Sequence, residues 1–362
     1  MNHFTWLIFP FLLVLLSICF TKVIIIFSQK NNIQSEVNQR SSHFNPISSG
    51  GGLSFIFITI IALFSFSFLD YFYVEQFYYF IFLFLLISFI GYWDDVKNIS
   101  PLIRFIFQLL ASVIIIFLFI GFPEIEVFSI SLLPDSIRLI FGVIFLIWLT
   151  NLYNFMDGID GIATIQGIFI LLSYLILFLI FEPVNSSDDL AKFFTLSIII
   201  LTASLFGFLF YNFPSASIFM GDVGSSFLGF FLGTLGIFAA VNNWITFWTL
   251  LIIWSIFIND STITLLVRIY NKEKWYQAHR SHTYQKLTTY IFNNIKEQHE
   301  KEISRTKAHR VVCGIFLLTN IFWVLPLSII SIKYYEYGFI INLVCFFPLI
   351  ITSIIAGAGK RD

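Results

Sequence analysis

The sequence predicts an all-α integral membrane protein, with about eleven transmembrane helices around one cytoplasm-facing cleft. Three observations carry this. The 362-residue chain is 58% hydrophobic and 11% charged, with 48 Phe, a balance outside that of soluble domains. Its apolar runs approach or reach the roughly 20 residues that a spanning helix needs. The polar residues that interrupt them are gathered in a few short islands at the ends of the runs. The near-neutral net charge says nothing about partners, because the charges are unevenly placed, and no nucleic acid is expected among them.

The candidate spans fall at about 4–27, 53–69, 73–92, 103–121, 136–150, 162–181, 192–211, 225–241, 245–268, 311–332 and 337–357. The second and fifth are short, and the whole chain, 1–362, reads as a single polytopic domain. With the N-terminus outside, seventeen of the twenty Lys and Arg residues lie in inner segments. Only Arg138, Lys192 and Lys333 lie outside, so the positive-inside rule fixes the orientation. The first run lacks a basic leader and a small-residue cleavage site, and is expected to be a retained span. Cys19, Cys313 and Cys345 sit in apolar runs and are expected to be buried thiols, without disulfide or metal spacing.

Taken in order, the first island ends in Ser48-Ser-Gly-Gly-Gly52, where bare backbone entering a helix permits close approach to a ligand. A flexible turn before a span is the plain alternative. The third span ends in Asp94-Asp95, with Lys97 close behind; paired carboxylates suit base or divalent-metal work, or simply a solvated helix end. Arg104 and Gln108 follow on a common helical face and point to the same cleft. The next island is Asn151-Leu-Tyr-Asn154-Phe-Met-Asp157-Gly-Ile-Asp160-Gly161, two amides and two carboxylates between two apolar runs. Phe219-Met-Gly-Asp222-Val-Gly-Ser-Ser226 opens the eighth span, where Asp222 serves either as helix cap or as ligand. Asn259 and Asp260 lie inside the ninth span, as a functional pair or a helix-to-helix bond. His279-Arg280-Ser-His282-Thr-Tyr-Gln285 in the long inner loop can gather phosphate oxygens and hydroxyls; too few further ligands accompany it for zinc. The mixed-charge stretch 297–310 reads as a solvated juxtamembrane helix. The outer-loop acids, among them Glu124, Glu126 and Glu182, form no pattern.

Five islands, at 40–52, 91–104, 151–163, 219–226 and 279–285, thus fall on one side of the membrane. Carboxylates and an amide suit magnesium held jointly with substrate phosphates, while glycines and basic groups suit phosphate recognition. The chemistry expected is metal-assisted phosphoryl transfer between a soluble and a membrane-bound substrate.

These motifs resemble, from about 40 to 290, the polyprenyl-phosphate N-acetylhexosamine-1-phosphate transferase superfamily, a group of ten- or eleven-helix membrane enzymes also called glycosyltransferase family 4. Asp94-Asp95, Asn151-x-x-Asn154-x-x-Asp157-Gly-x-Asp160-Gly and Phe219-Met-Gly-Asp222-x-Gly-Ser225 look like its three signatures. The resemblance implies that Asn154 and Asp222 hold Mg2+ (or Mn2+) on the diphosphate of a UDP-sugar. It implies that Asp160 reads the uracil edge and Phe219 stacks on it, with Asp157 and Gly158 also at the nucleotide. Asp94 and Asp95 match the pair that activates or positions the polyprenyl phosphate, and His279, Arg280, His282, Lys97 and Gly51 would meet phosphate or sugar.

The His-Arg-x-His-x-Tyr-Gln element is similar to that of the O-antigen-initiating branch, and the histidine triplet of the peptidoglycan branch is missing. That implies transfer of an N-acetylhexosamine-1-phosphate, or a 6-deoxy relative, to undecaprenyl phosphate. The setting implied is the bacterial inner membrane, among membrane lipids, in lipopolysaccharide or other envelope polysaccharide synthesis; the sequence leaves the oligomeric state open, a homodimer included. The muramoyl-pentapeptide donor is the alternative, and the sequence does not choose among donors. Two positions depart from the branch: Ser48-Ser49 replaces a usual Pro-Arg, a basic contact Arg40 would have to supply, and Asn259 precedes Asp260. From other classes, an impaired paralogue is motivated by Ser49. A secondary transporter would need midplane polar groups and an internal repeat that the chain does not display.

Overall fold

The computed structural model describes residues 3–31, 34–35, 46–181, 188–273, 279–295 and 301–360; Arg40 lies outside them. All eleven predicted windows are helical. They form α1 (His3–Lys30), α2 (Gly52–Phe68), α3 (Phe77–Lys97), α4 (Pro101–Val113, continued as π-helix to Ile120) and α5 (Asp135–Phe155). Next come α6 (Ile162–Phe181), α7 (Asp189–Asn212), α8 (Gly221–Val241) and the bent pair α9 (Phe247–Ile253) and α10 (Ser255–Tyr270). An interfacial helix, α11 (Thr283–Asn294), precedes α12 (Lys301–Thr319), a π-helical stretch, α13 (Leu325–Lys333) and α14 (Gly338–Ile355). Among the described residues nine helices are long and apolar enough to cross a membrane, or ten with the bent pair; α2, at 17 residues, is a shorter apolar helix. The chain is a multi-pass membrane protein.

The bundle is built around α8, in which every residue from Val223 to Ala240 is buried. Helices α3 and α5 lie along it and α2 and α6 touch it, while α1 and α7 pack together at one side. Lipid tails are as apolar as these side chains, so tight packing rather than transfer from water holds such helices together. Interlocked rings supply it: Phe84 of α3 stands 4.6 Å from Phe231 of α8 and contacts Phe230 and Phe227. At the far side, Trp254 sits at a 76° bend between α9 and α10, with its indole donating to Tyr174 Oη at 2.8 Å.

Several boundaries differ from expectation. Helix α3 continues to Lys97, so Asp94 and Asp95 occupy its last turn rather than the segment beyond it. Helix α5 runs to Phe155, making Asn151 and Asn154 helical. The predicted ninth span is broken, which the unbroken apolar run conceals. The expected juxtamembrane helix is the first part of α12, and Arg305 and His309 in it are buried rather than solvated. Cys313 and Cys345 are buried, whereas Cys19 is exposed on the outer face of α1.

Candidate active site

Three glycines, Gly52, Gly91 and Gly224, let two chain segments, the start of α2 and the end of α3, close onto the start of α8. A Cβ on Gly91 of α3 would sit 2.4 Å from the Asp222 carbonyl oxygen, and one on Gly52 would sit 2.3 Å from Gly224 Cα. Only glycine permits backbones this close. Hydrogen bonds fix the register: Gly51 N–H and Gly52 N–H donate to the carbonyls of Phe219 and Met220, each at 2.9 Å, and Phe219 N–H donates to Ser48 O at 2.9 Å. The Gly51 amide expected to meet phosphate is therefore engaged with the Phe219 loop. Ser48 and Ser49 lie beside that loop, Ser48 buried and Ser49 half-buried.

The paired carboxylates of α3 divide their work. Successive residues on an α-helix point about 100° apart. Asp95 turns toward α8, where its two oxygens accept from Asp222 N–H at 2.8 Å and Val223 N–H at 3.1 Å. It thereby caps the first turn of α8 from a neighbouring helix, the role the sequence left open for Asp222. Asp94 turns toward α4 and is bonded to Arg104 Nη1, which also donates to Asp222 Oδ2 at 2.8 Å. From α5, Asn154 Nδ2 donates to Asp222 Oδ1 at 3.0 Å and to Ser225 Oγ at 2.9 Å. Among the described residues no hydrogen-bond donor is seen on Asn154 Oδ1. Asn151 is pinned to Gln108 Oε1 at 2.7 Å and holds α5 against α4.

Asp157 lies in the turn after α5, half-buried, and its carboxylate has no hydrogen-bond partner among the described residues. Burial and the charges of Asp222, Asp95 and Asp160 push it up to about 8. An unfolded Asp titrates near 3.9, so the folded chain holds a proton here that the unfolded chain loses. Stability in the absence of divalent cations should therefore decline as pH rises from about 4 to about 8. Thermal unfolding in detergent with chelator, compared between wild type and Asp157→Asn, checks this. A slope shared by both proteins would show that the charge on Asp157 does not cause it.

Asp160 is buried at 1% exposure. One oxygen accepts from Ala216 N–H at 3.1 Å and the other lies 3.3 Å from His309 Nδ1 on α12. Burial acts to raise its carboxyl, yet His309, the Ala216 amide and Arg305 together hold it below the usual carboxylate range. Arg310 of the same helix donates twice to Pro214 O, at 2.8 and 3.0 Å. Asp160 thus ties α12 to the 214–216 turn, with its charge inside the protein. Phe219, half-buried, stands beside the Ser48 strand.

The element at 279–285 reaches the same end of the bundle. Tyr284 Oη donates to Phe155 O at 3.1 Å, and a Cβ on Gly158 would lie 2.0 Å from that hydroxyl, so Gly158 makes room for Tyr284. His282 is 3% exposed, with Nδ1 3.1 Å from Asp260 Oδ1, and is stacked 4.9 Å from His279. Burial, His282 and Arg268 push His279 down to about 3. It stands near neutral pH as an uncharged imidazole, 3.0 Å from Ser281 Oγ, and offers a phosphate no positive charge. Arg280 is half-buried beside them, and Lys97 is exposed on the last turn of α3.

The structure therefore brings Asp94, Asp95, Asn154 and Asp222 into direct contact, and Gly158 against the 279–285 element. Asp160 and His282 are withdrawn into the protein. Sequence reasoning placed Arg104 toward the cleft and Ser225 within a signature but gave neither a partner, although Arg104 near an acidic pair was a usable signal. His309 carried none, being one polar residue in a charged stretch. No three His, Cys, Asp or Glu side chains among the described residues form a metal cage. Asn154 Oδ1 and the Asp222 carboxylate still fit magnesium, which commonly takes one or two protein oxygens and completes its shell with water and substrate phosphates.

Comparison with known proteins gives the following. The family model described as glycosyl transferase family 4 matches residues 77–240. The chain is 28% identical over 213 residues to the probable undecaprenyl-phosphate N-acetylglucosaminyl 1-phosphate transferase of Bacillus subtilis, covering 57% of this chain and 56% of that protein. It is 32% identical over 264 residues to the phospho-N-acetylmuramoyl-pentapeptide-transferase of Campylobacter lari, covering 66% of this chain and 72% of the relative. The corresponding Streptococcus uberis protein is 29% identical over 199 residues, with 56% of its length matched. The chain spans little more than half the length of the first and third of these relatives.

Proposed function

The chain belongs to glycosyl transferase family 4, the polyprenyl-phosphate N-acetylhexosamine-1-phosphate transferases, and from that membership we propose that it transfers a sugar-1-phosphate from a UDP-N-acetyl-sugar to undecaprenyl phosphate. An oxygen of the lipid phosphate attacks the β-phosphorus of the donor. The bond from that phosphorus to the bridging oxygen breaks, and UMP leaves with the bridging oxygen and its electron pair. The products are a polyprenyl-diphosphate sugar and UMP.

The observation that supports this most is the meeting of α3, α4 and α5 on one residue, Asp222, with Arg104 and Asn154 on its carboxylate and Asp95 on its backbone amide, at the head of a buried helix. Asn154 and Asp222 would hold Mg2+, which when bound neutralises charge on the diphosphate. Arg104 offsets the repulsion between Asp94 and Asp222 and holds the pair together. Asp94, held by Arg104, faces the lipid phosphate and positions it. Little base strength is needed, since a phosphate monoester has its second pKa near about 6 and is mostly ionised at neutral pH. Asp157, half-buried and without a hydrogen-bond partner among the described residues, is the carboxylate left for the donor side. By the bias of Lys and Arg, this end of the bundle faces the cytoplasm, with the N-terminus outside, in a bacterial inner membrane.

The donor is an N-acetylhexosamine or a 6-deoxy relative, because His279-Arg280-Ser-His282 stands where the peptidoglycan branch has three histidines. The muramoyl-pentapeptide donor is kept as a second assignment, since the Campylobacter relative matches over 264 residues. A donor panel tests both. Purified protein, undecaprenyl phosphate, Mg2+ and a series of UDP-sugars including UDP-MurNAc-pentapeptide should yield UMP and one lipid product identified by mass. UMP from none of them would overturn the transferase assignment, and product from the pentapeptide alone would overturn the choice of donor.

A further inference from the structure

Asp260 is only 2% exposed, in α10 beyond the 76° bend, and it touches none of the carboxylates around Asp222 through a hydrogen bond or ion pair among the described residues. Its surroundings are specific. Oδ1 accepts from Thr283 N–H at 2.9 Å and lies 3.1 Å from His282 Nδ1, and Oδ2 accepts from Tyr284 N–H at 3.1 Å. A carboxylate has no proton to give, so His282 is the donor in its pair. One side chain thus takes three charge-assisted hydrogen bonds from the first turn of α11 and its cap. Thr283 Oγ1 and Asn259 Nδ2 both bond Ser353 Oγ, at 3.0 and 2.8 Å, which ties the same turn to α14. Ser281 O accepts from Gly359 N–H at 2.8 Å.

The far end of this assembly reaches the cleft. Tyr284, fully buried, crosses to α5 and donates to Phe155 O, filling the space that Gly158 leaves open. Phe155 directly follows Asn154, and Gly158 directly follows Asp157. The turn between the amide that contacts Asp222 and the unpartnered carboxylate is therefore held from Asp260 by way of Tyr284.

We propose that Asp260 is a positioning residue: it fixes the His279–Gln285 element and, through Tyr284, the Phe155–Gly158 turn, so that the donor half of the cleft is assembled by a buried carboxylate that never meets substrate. This rests on the transferase assignment for its kinetic consequence, not for the clamp itself. Asp260→Asn keeps the size of the side chain but removes one of its two acceptors. Two measurements on the full-length protein test it. Hydrogen exchange at the Thr283 and Tyr284 amides should quicken at least about tenfold while α8 keeps its protection. KM for the UDP-sugar should rise about tenfold with KM for undecaprenyl phosphate within about twofold, since a shift near 1 Å is enough to cost this much.

Tyr284→Phe removes only the bond to Phe155 O. It should raise donor KM while leaving exchange at Thr283 as in the wild type, and it keeps the test open if Asp260→Asn does not fold. Unchanged exchange at 283–284 in Asp260→Asn would overturn the clamp. So would equal losses toward donor and acceptor, the mark of general unfolding, and so would a normal donor KM in Tyr284→Phe. If the wild type used no donor at all, the transferase assignment would fall, and the exchange contrast would still uphold or overturn the clamp.

Discussion

Asp222→Ala should abolish UMP release from Mg2+-containing membranes supplied with UDP-sugar and undecaprenyl phosphate, a fall of at least about 10²–10³-fold. The substitution removes more than one ligand. Arg104 Nη1 is left with Asp94 alone, and Asn154 Nδ2 keeps only Ser225 Oγ. The amide that would share the cation loses the partner that orients it, so charge and geometry go together. Adding Mg2+ should not restore turnover, because the lost element is a ligand rather than affinity elsewhere. Turnover within about tenfold of wild type would remove Asp222 from the reaction.

The second large effect is expected at Asp95, and it separates two roles that adjacent carboxylates are easily assumed to share. Asp95→Ala leaves the amides of Asp222 and Val223 without their acceptor. Loss of such a cap costs about 1–2 kcal/mol of stability. The larger consequence is that Asp222 is no longer held in place, for which about 10²-fold in kcat is a reasonable scale. Asp95→Asn retains one acceptor oxygen and should fall between Ala and wild type, with the shape of the pH–rate profile unchanged. A profile that loses its acid limb in Asp95→Asn, with folding intact, would mean that Asp95 acts as a base and not as a cap.

Much of this molecule is written plainly in its sequence, and the physical reason is the bilayer. A span must be apolar over its whole length, so every polar interruption stands out, and those at 91–104, 151–163 and 219–226 do meet. Helix ends were less legible. The helical parts of α3 and α5 extend into polar residues because those residues find partners on neighbouring helices, which no local pattern announces. The break at Trp254 is hidden for a different reason: the residues around it are as apolar as a straight span, and the hydrogen bond of Trp254 at the bend goes to Tyr174, a partner distant in sequence. The roles within Asp94-Asp95 were accessible in principle from the helical angle between neighbours, but which neighbour each would meet was not. His309 and Arg305 were assigned to water because charge in a loop normally is solvated; here they serve the buried Asp160.

The backbone contacts among Gly52, Gly91, Asp222 and Gly224 have a bearing on protein engineering. Side chains can be exchanged, but a contact made of main chain offers nothing to exchange, so this inner layer resists gradual redesign. The layer around Tyr284 is held by one side chain of α10, Asp260, and by the Phe155 carbonyl, and is the replaceable part. A laboratory seeking to redirect the enzyme to new sugars would do best to transplant 279–294 as a cassette, together with residue 260, and leave the glycine-lined layer untouched.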